Sequence, residues 1–369
     1  MDLTTTAPTL LQAVVNMTTT MSPADTMVIK MAFLKSVYQW VIPLMIIVLL
    51  IAIVGNSIIC LASPFMSSPI SPYLKLCVSL AAADLWAATL LIIGLLVNSY
   101  FPVVLGYPKS SFCPDAWLEV FRVAGMLTSD LHLFALAINQ FLGTLWPLKY
   151  KVMVTTRRIR LLIVGLWFIP MIVLLVWFLA DPEDGLRQEH CRLGFYNRFP
   201  FRLSIFLIFI IPLLATLGIY ATILAKLLKA KAEFDNSCHA ERRLNSRRSN
   251  VHSKIKLVWT TLLIVTSFAL SWGLCVLYFV LVCQDGCPFT YLVDVDFYLG
   301  LFFNASVQAM VMVKLAANPF IYTLRIKAIR ASVNSLMNRC WTRKRYLPTK
   351  TCKNGMTLIS TNSSVPCSV

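Results

Sequence analysis

The stretch Asn318-Pro319-Phe320-Ile321-Tyr322 lies near the end of the last of seven long apolar segments. Proline has no backbone N–H, so it removes one hydrogen bond from a helix that, in lipid, must satisfy its own backbone. The amide of Asn318 can bond the groups that the proline frees, and Tyr322 is a polar-tipped aromatic that can move. The stretch therefore predicts a weak point where a signal would cross a membrane. The alternative is a helix end that merely contains proline.

The composition is that of a membrane protein, with 58% hydrophobic and 13% charged residues. About 20 apolar residues are needed to cross a bilayer. Seven stretches qualify and are called segments one to seven: 39–64, 72–99, 115–144, 157–180, 199–228, 255–282 and 292–323.

We therefore predict an all-α membrane protein, a seven-transmembrane helix bundle with a short amphipathic eighth helix. Its expected parts are an extracellular N-terminal tail (1–38), the bundle (39–323), an amphipathic membrane-surface helix (324–340) and a cytoplasmic tail (341–369).

The net charge of +17 is concentrated in alternate loops. Lys149 and Lys151 follow segment three, and an arginine cluster at 242–248 follows segment five. The positive-inside rule then places the N-terminus outside the cell and the C-terminus in the cytoplasm of a multi-pass plasma-membrane protein. The basic excess indicates topology and contact with membrane lipids rather than nucleic-acid binding. No cleaved signal peptide is expected, because residues 1–38 lack a charged start followed by an apolar core.

Four cysteines fall on the predicted outer side, where disulfides can form. Cys113 and Cys191 lie at the start of segment three and in the loop before segment five, while Cys283 and Cys287 share another loop and can close a small ring.

Two sites of modification are expected. Asn16 begins a glycosylation sequon, Asn16-Met17-Thr18, on the predicted outer side. Cys340 follows the basic amphipathic stretch and is a candidate for palmitoylation, with a free cytosolic thiol as the alternative.

The ordered landmarks of the segments resemble those of rhodopsin-like (class A) G-protein-coupled receptors, over residues 40–340. The resemblance implies a ligand cavity open to the outside and movement of segment six to admit a heterotrimeric G protein, with arrestin as a further partner and no cofactor. Besides Asn318, Pro319 and Tyr322, the matching positions are Asn56, Asp84, Trp167, Pro212, Tyr220, Phe268 and Trp272.

One departure from the family lies at the end of segment three, where Asn139-Gln140-Phe141 replaces the usual Asp-Arg-Tyr. By resemblance these three residues contact the G protein. Gln140 carries no charge and the facing position on segment six is Lys254, so the usual resting ion pair cannot form. One restraint on the inactive state and one contact for the partner are both missing.

A second departure places a charge in mid-membrane. In the family, the acid matching Asp84 binds sodium with polar helpers, which Ser129 and Asn318 match; the third matching position is Lys314. Charged residues at a helix centre are costly, so unpaired ones are not expected. Our hypothesis is that the Lys314 ammonium occupies the sodium position and pairs with Asp84. The alternative is a lysine that snorkels elsewhere or sits in a water pocket.

Asp130 stands where the family packs an aliphatic residue, and its carboxyl must be protonated or paired. It can be a second partner of Lys314 or part of a polar relay with His132. The histidine can equally be a satisfied structural group.

The ligand site is predicted from segment three, where the position that holds an aspartate in amine receptors is Arg122, with Glu119 a turn above. Arg122 suits a carboxylate or phosphate; alternatively it pairs with Glu119 or Asp115 and only shapes the pocket. The aromatic candidates for the same site are Trp272, Tyr278 and Phe302.

These residues predict a receptor that passes an extracellular chemical signal to G proteins, with a peptide, lipid or acidic small molecule favoured over a cationic amine. One alternative is a transporter or channel that uses Asp84, Asp130 and Lys314 as an ion or proton path. Another is a receptor-like binding protein that does not couple, because of Gln140. The four histidines do not have the spacing of metal ligands, and we find no nucleophile constellation. The sequence therefore does not suggest an enzyme.

Overall fold

The computed structural model describes residues 22–108, 111–180, 182–236, 277–290 and 293–345, with scattered positions between 255 and 274. Within these residues six helices are long and apolar enough to cross a membrane. In segment six, each described position from 255 to 281 is helical. The helices of segments one to five and seven are Pro23–Ala62, Pro72–Leu95, Cys113–Leu145, Thr156–Ala180, Phe199–Asn236 and Phe297–Arg325.

Polar caps and prolines start these helices. The Ser71 hydroxyl accepts from the backbone N–H of Leu74 at 3.3 Å, and Pro72 occupies the first helical position. Asp296 accepts from the N–H of Tyr298 at 2.9 Å. Such caps satisfy donors that have no partner inside the helix, and proline fits the first turn because its missing N–H is not needed there.

The helix of segment one is longer than a bilayer requires. It runs over 40 residues from Pro23, so part of the predicted N-terminal tail is helical. At 1.5 Å per residue it extends about 60 Å, twice the hydrocarbon thickness of about 30 Å. The hydrocarbon layer therefore cannot enclose the whole helix.

Segment three is the central helix and packs against segments two, four and five, while segment seven packs against segments one and two. A further helix, Lys327–Arg345, lies against segments one and seven and corresponds to the predicted eighth helix. The remaining elements are short: helices Ser63–Phe65, Leu96–Val104 (π), Pro147–Met153, Gly185–Arg187 and Phe195–Asn197, and the parallel strands β1 (Val282–Cys283) and β2 (Phe289–Thr290).

One end of the bundle carries two disulfides, Cys113–Cys191 and Cys283–Cys287, and is called the disulfide end. The loop that follows segment four is folded here around a buried carboxylate. Asp184 accepts hydrogen bonds from the backbone N–H groups of residues 185, 194 and 195. Such bonds hold an irregular loop in one conformation, so the entrance to the bundle at this end has a defined shape.

Candidate functional site

Four polar side chains form a closed hydrogen-bonded group in the middle of the bundle: Asp84, Ser129, Lys314 and Asn318, called the central network. Lys314 Nζ donates to Asp84 Oδ1 at 3.1 Å and to Ser129 Oγ at 3.0 Å. Ser129 donates to Asp84 Oδ1 at 2.8 Å, and Asn318 Nδ2 donates to Asp84 Oδ2 at 2.6 Å. The two charged side chains are 1% and 0% exposed. At this depth either charge alone would be costly, so each depends on the other.

The proline of segment seven frees a carbonyl, and a side chain from segment one bonds it. In a regular helix the C=O of Leu315 would accept from the N–H of residue 319, which Pro319 lacks. Asn56 Nδ2 donates to this carbonyl at 3.2 Å and to the carbonyl of Ala52 at 3.0 Å. The sequence suggested Asn318 for this task, but its amide nitrogen is bonded to Asp84 instead.

Segments one and seven approach closely at the same place. A Cβ added to Gly55 would lie 2.9 Å from both Cβ and Cγ of Pro319. Real Cβ atoms essentially never come this close, so only glycine fits without a shift of the helices. The close approach also brings Asn56 within reach of the Leu315 carbonyl.

Asp130 lies in segment three and is buried. Within the described part of the chain its Oδ2 accepts no hydrogen bond. Its role as a second partner of Lys314 stays a prediction. The ammonium donates its short hydrogen bonds to Asp84 and Ser129.

The possible relay between Asp130 and His132 is not formed, because both ring nitrogens of His132 are bonded elsewhere. Nδ1 lies 2.7 Å from the carbonyl of Thr128, so this nitrogen must carry the hydrogen. Nε2 lies 2.7 Å from Ser79 Oγ, which also accepts from the indole N–H of Trp167 at 3.1 Å. His132 therefore links segments two, three and four as a satisfied structural group.

Of the other core residues predicted from sequence, Pro212 is half-buried and Phe268 lies outside the described residues. Tyr220 and Tyr322 are both fully buried. The carbonyl of Pro212 accepts from the hydroxyl of Thr216 at 2.7 Å, one turn further along segment five.

The three residues predicted to contact a G protein lie near the end of segment three that is opposite the disulfides. Asn139 Oδ1 accepts from the hydroxyl of Tyr150 at 3.1 Å, Gln140 is buried, and Phe141 packs edge-on against Trp146. Burial raises the pKa of Tyr150. Asn139, which stands where the family has an aspartate, is thus held by a hydrogen bond between two uncharged side chains.

Two adjacent cavities of about 390 and 210 Å³ lie towards the disulfide end. The larger is lined from segments three, five, six and seven, and the smaller from segments one, two, three and seven. Arg122, Asn304 and Gln308 line both cavities and so form the partition between them.

The partition contains a second ion pair. Nε of Arg122 donates to Glu119 Oε2 at 2.8 Å, and its Nη2 contacts Glu119 Oε1. The hydroxyl of Tyr196 also donates to Glu119 Oε1, at 2.5 Å. Burial, reinforced by the carboxylate, raises the pKa of Tyr196 well above its ordinary value. Arg122 is thus paired with Glu119, and its role toward a ligand stays a prediction.

The aromatic candidates are divided. Tyr278 lines the larger cavity. Phe302 lines neither cavity, and 66% of it is exposed. Its neighbour Leu301 lines the smaller cavity instead, because successive residues of a helix point about 100° apart. Four predicted positions lie outside the described residues or have side chains outside them: Asn16, Phe268, Trp272 and Cys340.

Arg202 is a site residue that the sequence did not reveal. Its guanidinium donates to the carbonyls of Tyr196, Phe279 and Val282 and to the side chain of Asn197. It thereby joins segment five to the loop before it and to the end of segment six, at the rim of the larger cavity. An arginine inside the first turns of an apolar helix was the only available signal.

Residues 55–322 match the 7 transmembrane receptor (rhodopsin family) family. The chain belongs to this family. The predictions of a rhodopsin-like receptor and of a seven-helix membrane bundle are therefore confirmed.

Among its relatives, the receptor is 30% identical over 152 residues to the alpha-2B adrenergic receptor of Equus caballus, a match that covers 40% of this chain and 37% of the relative. It is 28% identical over 245 residues to the adenosine receptor A2b of Canis lupus familiaris, covering 60% and 68%. The chain thus spans 27–37% of the length of the adrenergic relatives that it matches.

Proposed function

We propose that this protein is a plasma-membrane receptor with an extracellular N-terminus that transmits a chemical signal to heterotrimeric G proteins, with arrestin as a further cytoplasmic partner. The observation that carries the proposal is the position of segment seven. This segment lines the two ligand-sized cavities and also contributes two residues to the central network. Asn304 and Gln308 line the cavities, and Lys314 and Asn318 bond Asp84.

The two sites are close along one helix. Gln308 and Lys314 are six residues apart, which is about 9 Å along an α-helix. A ligand that displaces the cavity-lining part of segment seven therefore acts on the lysine without an intermediate element. Beyond the lysine, the Leu315 carbonyl is held from another segment, so the helix has a local point at which it can bend.

We infer that Lys314 serves as a built-in cation in the position of the family's sodium ion. This inference is supported by the hydrogen bonds that Lys314 Nζ donates to an oxygen of Asp84 and to the oxygen of Ser129. A bound cation would otherwise contact these two oxygens. Since the charge is covalently attached to segment seven, the resting state would hold segments two, three and seven together independently of external sodium.

The chemistry of the cavities disfavours a cationic amine. Among the described lining residues Glu119 is the sole carboxylate, and it is already bonded by Arg122 and Tyr196. The lining instead combines apolar side chains with amides, phenols and arginines. This suits a ligand that carries hydrogen-bonding groups on an apolar frame, such as a peptide, a lipid or an acidic small molecule.

A transporter or channel is less well supported, because an ion path through Asp84 and Lys314 needs water at residues that are 0% and 2% exposed. A receptor-like protein that binds but does not couple is the stronger alternative, and Gln140 is the observation in its favour. By resemblance, an arginine at this position contacts the partner.

The test measures basal and ligand-stimulated nucleotide exchange on purified G proteins by the native receptor and by Gln140→Arg. A surface-exposed substitution on segment four, Val164→Ala, is the matched control. We expect stimulated exchange with the native chain for at least one G-protein class, and a several-fold change with Gln140→Arg. Stimulated exchange only with Gln140→Arg would establish the non-coupling alternative. Epitope tags on both termini found on the same face of the cell would overturn the proposed topology.

A further inference from the structure

A third cavity, of about 490 Å³, lies on the outer surface of the bundle at the end opposite the disulfides. It is a groove between segments one and seven, and the helix Lys327–Arg345 contributes Val333 to its lining. Two of the residues that line it are strongly exposed: Val54 is 58% and Phe320 is 57% accessible. Thr323 is its only polar lining residue among those described. In a membrane-spanning bundle such a surface is covered by lipid.

The size of the groove fits one hydrocarbon chain. An apolar cavity of about 150 Å³ holds a six-carbon ring, so 490 Å³ has room for roughly twenty carbon atoms, about one acyl chain. Lipid tails are as apolar as the side chains of the groove, so the groove alone gives little preference between lipids. Any preference must come from the headgroup.

The neighbouring helix supplies a charge that selects headgroups. Lys327–Arg345 contains six lysines and arginines and no acidic residue. Lys327 and Arg330 are exposed at its start, next to segment seven, and the Arg339 guanidinium lies 4.8 Å from the ring centroid of Phe65, at the end of segment one. Basic residues thus stand beside both segments that form the groove. Clusters of this kind beside a membrane helix attract anionic headgroups.

We propose that the groove is a binding site for an anionic phospholipid, with one acyl chain between segments one and seven and the headgroup on the basic helix. The bound chain would contact Pro319 and Phe320, and would lie over the close contact between Gly55 and Pro319. The lipid therefore reaches the point at which segment seven is weakest. It stabilises the packed arrangement of segments one and seven.

The proposal is tested on the full-length protein in nanodiscs of equimolar phosphatidylcholine and phosphatidylglycerol. Native mass spectrometry of the extracted protein counts the phospholipids that stay bound. We expect at least a threefold preference for phosphatidylglycerol with the native chain. Val54→Trp, which fills the groove, should lower retention of both lipids at least threefold. Its control is Val164→Trp, at a similarly exposed position on segment four.

A second variant separates the headgroup from the chain. The triple change Lys327→Gln, Arg330→Gln and Arg339→Gln should abolish the preference for phosphatidylglycerol while phosphatidylcholine is retained. An equal loss of charge in Lys149→Gln, Lys151→Gln and Arg157→Gln should leave the preference unchanged.

Three results would overturn the proposal: equal retention by Val54→Trp and the native chain, equal losses in Val54→Trp and Val164→Trp, or an unchanged lipid preference in the first triple variant. Displacement of both phospholipids by added cholesterol would overturn it too, because the groove would then be a sterol site. None of these readouts requires ligand or G protein, so failure here is distinct from failure of the proposed receptor function.

Discussion

Two acid–base pairs of the bundle have the same chemistry but stand in different surroundings. Asp84 and Lys314 are 230 positions apart in sequence and join two segments in a dry interior. Glu119 and Arg122 are three positions apart on one helix, and their side chains are 14% and 20% exposed beside the cavities. The first pair exists only when the segments are assembled, whereas the second forms within a single turn. Burial and connectivity, rather than charge, therefore decide which pair restrains the whole molecule.

The largest expected effect comes from breaking the buried pair. Lys314→Ala leaves the Asp84 carboxylate without a cation and should lower the free energy of unfolding by about 3 kcal/mol or more. The double variant Asp84→Asn/Lys314→Ala removes both charges and should melt closer to the native protein. Thermal unfolding in nanodiscs measures both. Arg122→Ala is the matched change in the second pair and should cost less than half as much, because water reaches Glu119. A double variant that melts at or below Lys314→Ala would refute this account.

The next effect concerns the carbonyl freed by proline. Asn56→Ala removes the donor to the Leu315 carbonyl, and a buried unsatisfied group costs about 1–3 kcal/mol. Asn56→Ala/Pro319→Ala restores a backbone N–H at position 319, so it should recover part of the loss. Melting curves of the two single variants and the double provide the cycle. Simple additivity of the two single effects would show that Asn56 does not act through this carbonyl.

A smaller effect concerns sodium. The native receptor should show no stabilisation by sodium beyond that by choline at equal ionic strength, because the Lys314 ammonium occupies the oxygens of Asp84 and Ser129. Lys314→Ala vacates this position and should gain a sodium-specific stabilisation, about 1.4 kcal/mol at ten times Kd. The melting temperature is measured as a function of each salt. A sodium shift of the same size in the native protein would contradict the built-in cation.

The smallest change in stability is expected in the second pair. Glu119→Gln should alter the free energy of unfolding by less than about 1 kcal/mol, since the pair is partly solvated and local. It also unmasks the positive charge of Arg122, so decanoate should raise the melting temperature of the variant more than that of the native protein. Glu189→Gln, at an exposed carboxylate in the loop before segment five, controls for net charge. Equal decanoate shifts in Glu119→Gln and the native chain would show that Glu119 does not mask the arginine.

The difference between the two pairs also explains what could be predicted. A lysine and an aspartate in apolar segments have few alternatives to pairing, because each is too costly alone in lipid. Asp84 and Lys314 could therefore be suggested as partners across 230 positions. Around Arg122 water and several acceptors compete, and the sequence left a ligand carboxylate, Glu119 and Asp115 as alternatives.

Other contacts could not be predicted from the pattern of residues. Asn56, and not Asn318, bonds the proline-freed carbonyl because Gly55 allows segment one to approach segment seven. Arg202 and Tyr196 meet at the cavity because a loop returns over the bundle. Phe302 faces outward because the rotation of segment seven is set by packing on segments one and two, which helical periodicity alone does not specify.

The sequence by itself determined that the chain spans a membrane repeatedly, which loops carry the positive charge, and that mid-membrane charges must be paired. These follow from transfer free energies that depend on the residues alone. The tertiary structure decided which donors reach the Leu315 carbonyl, how Arg122 is satisfied and where cavities and grooves open. Those outcomes depend on the rotation and separation of packed helices, to within about an ångström, and that information lies in the contacts between segments rather than in any one of them.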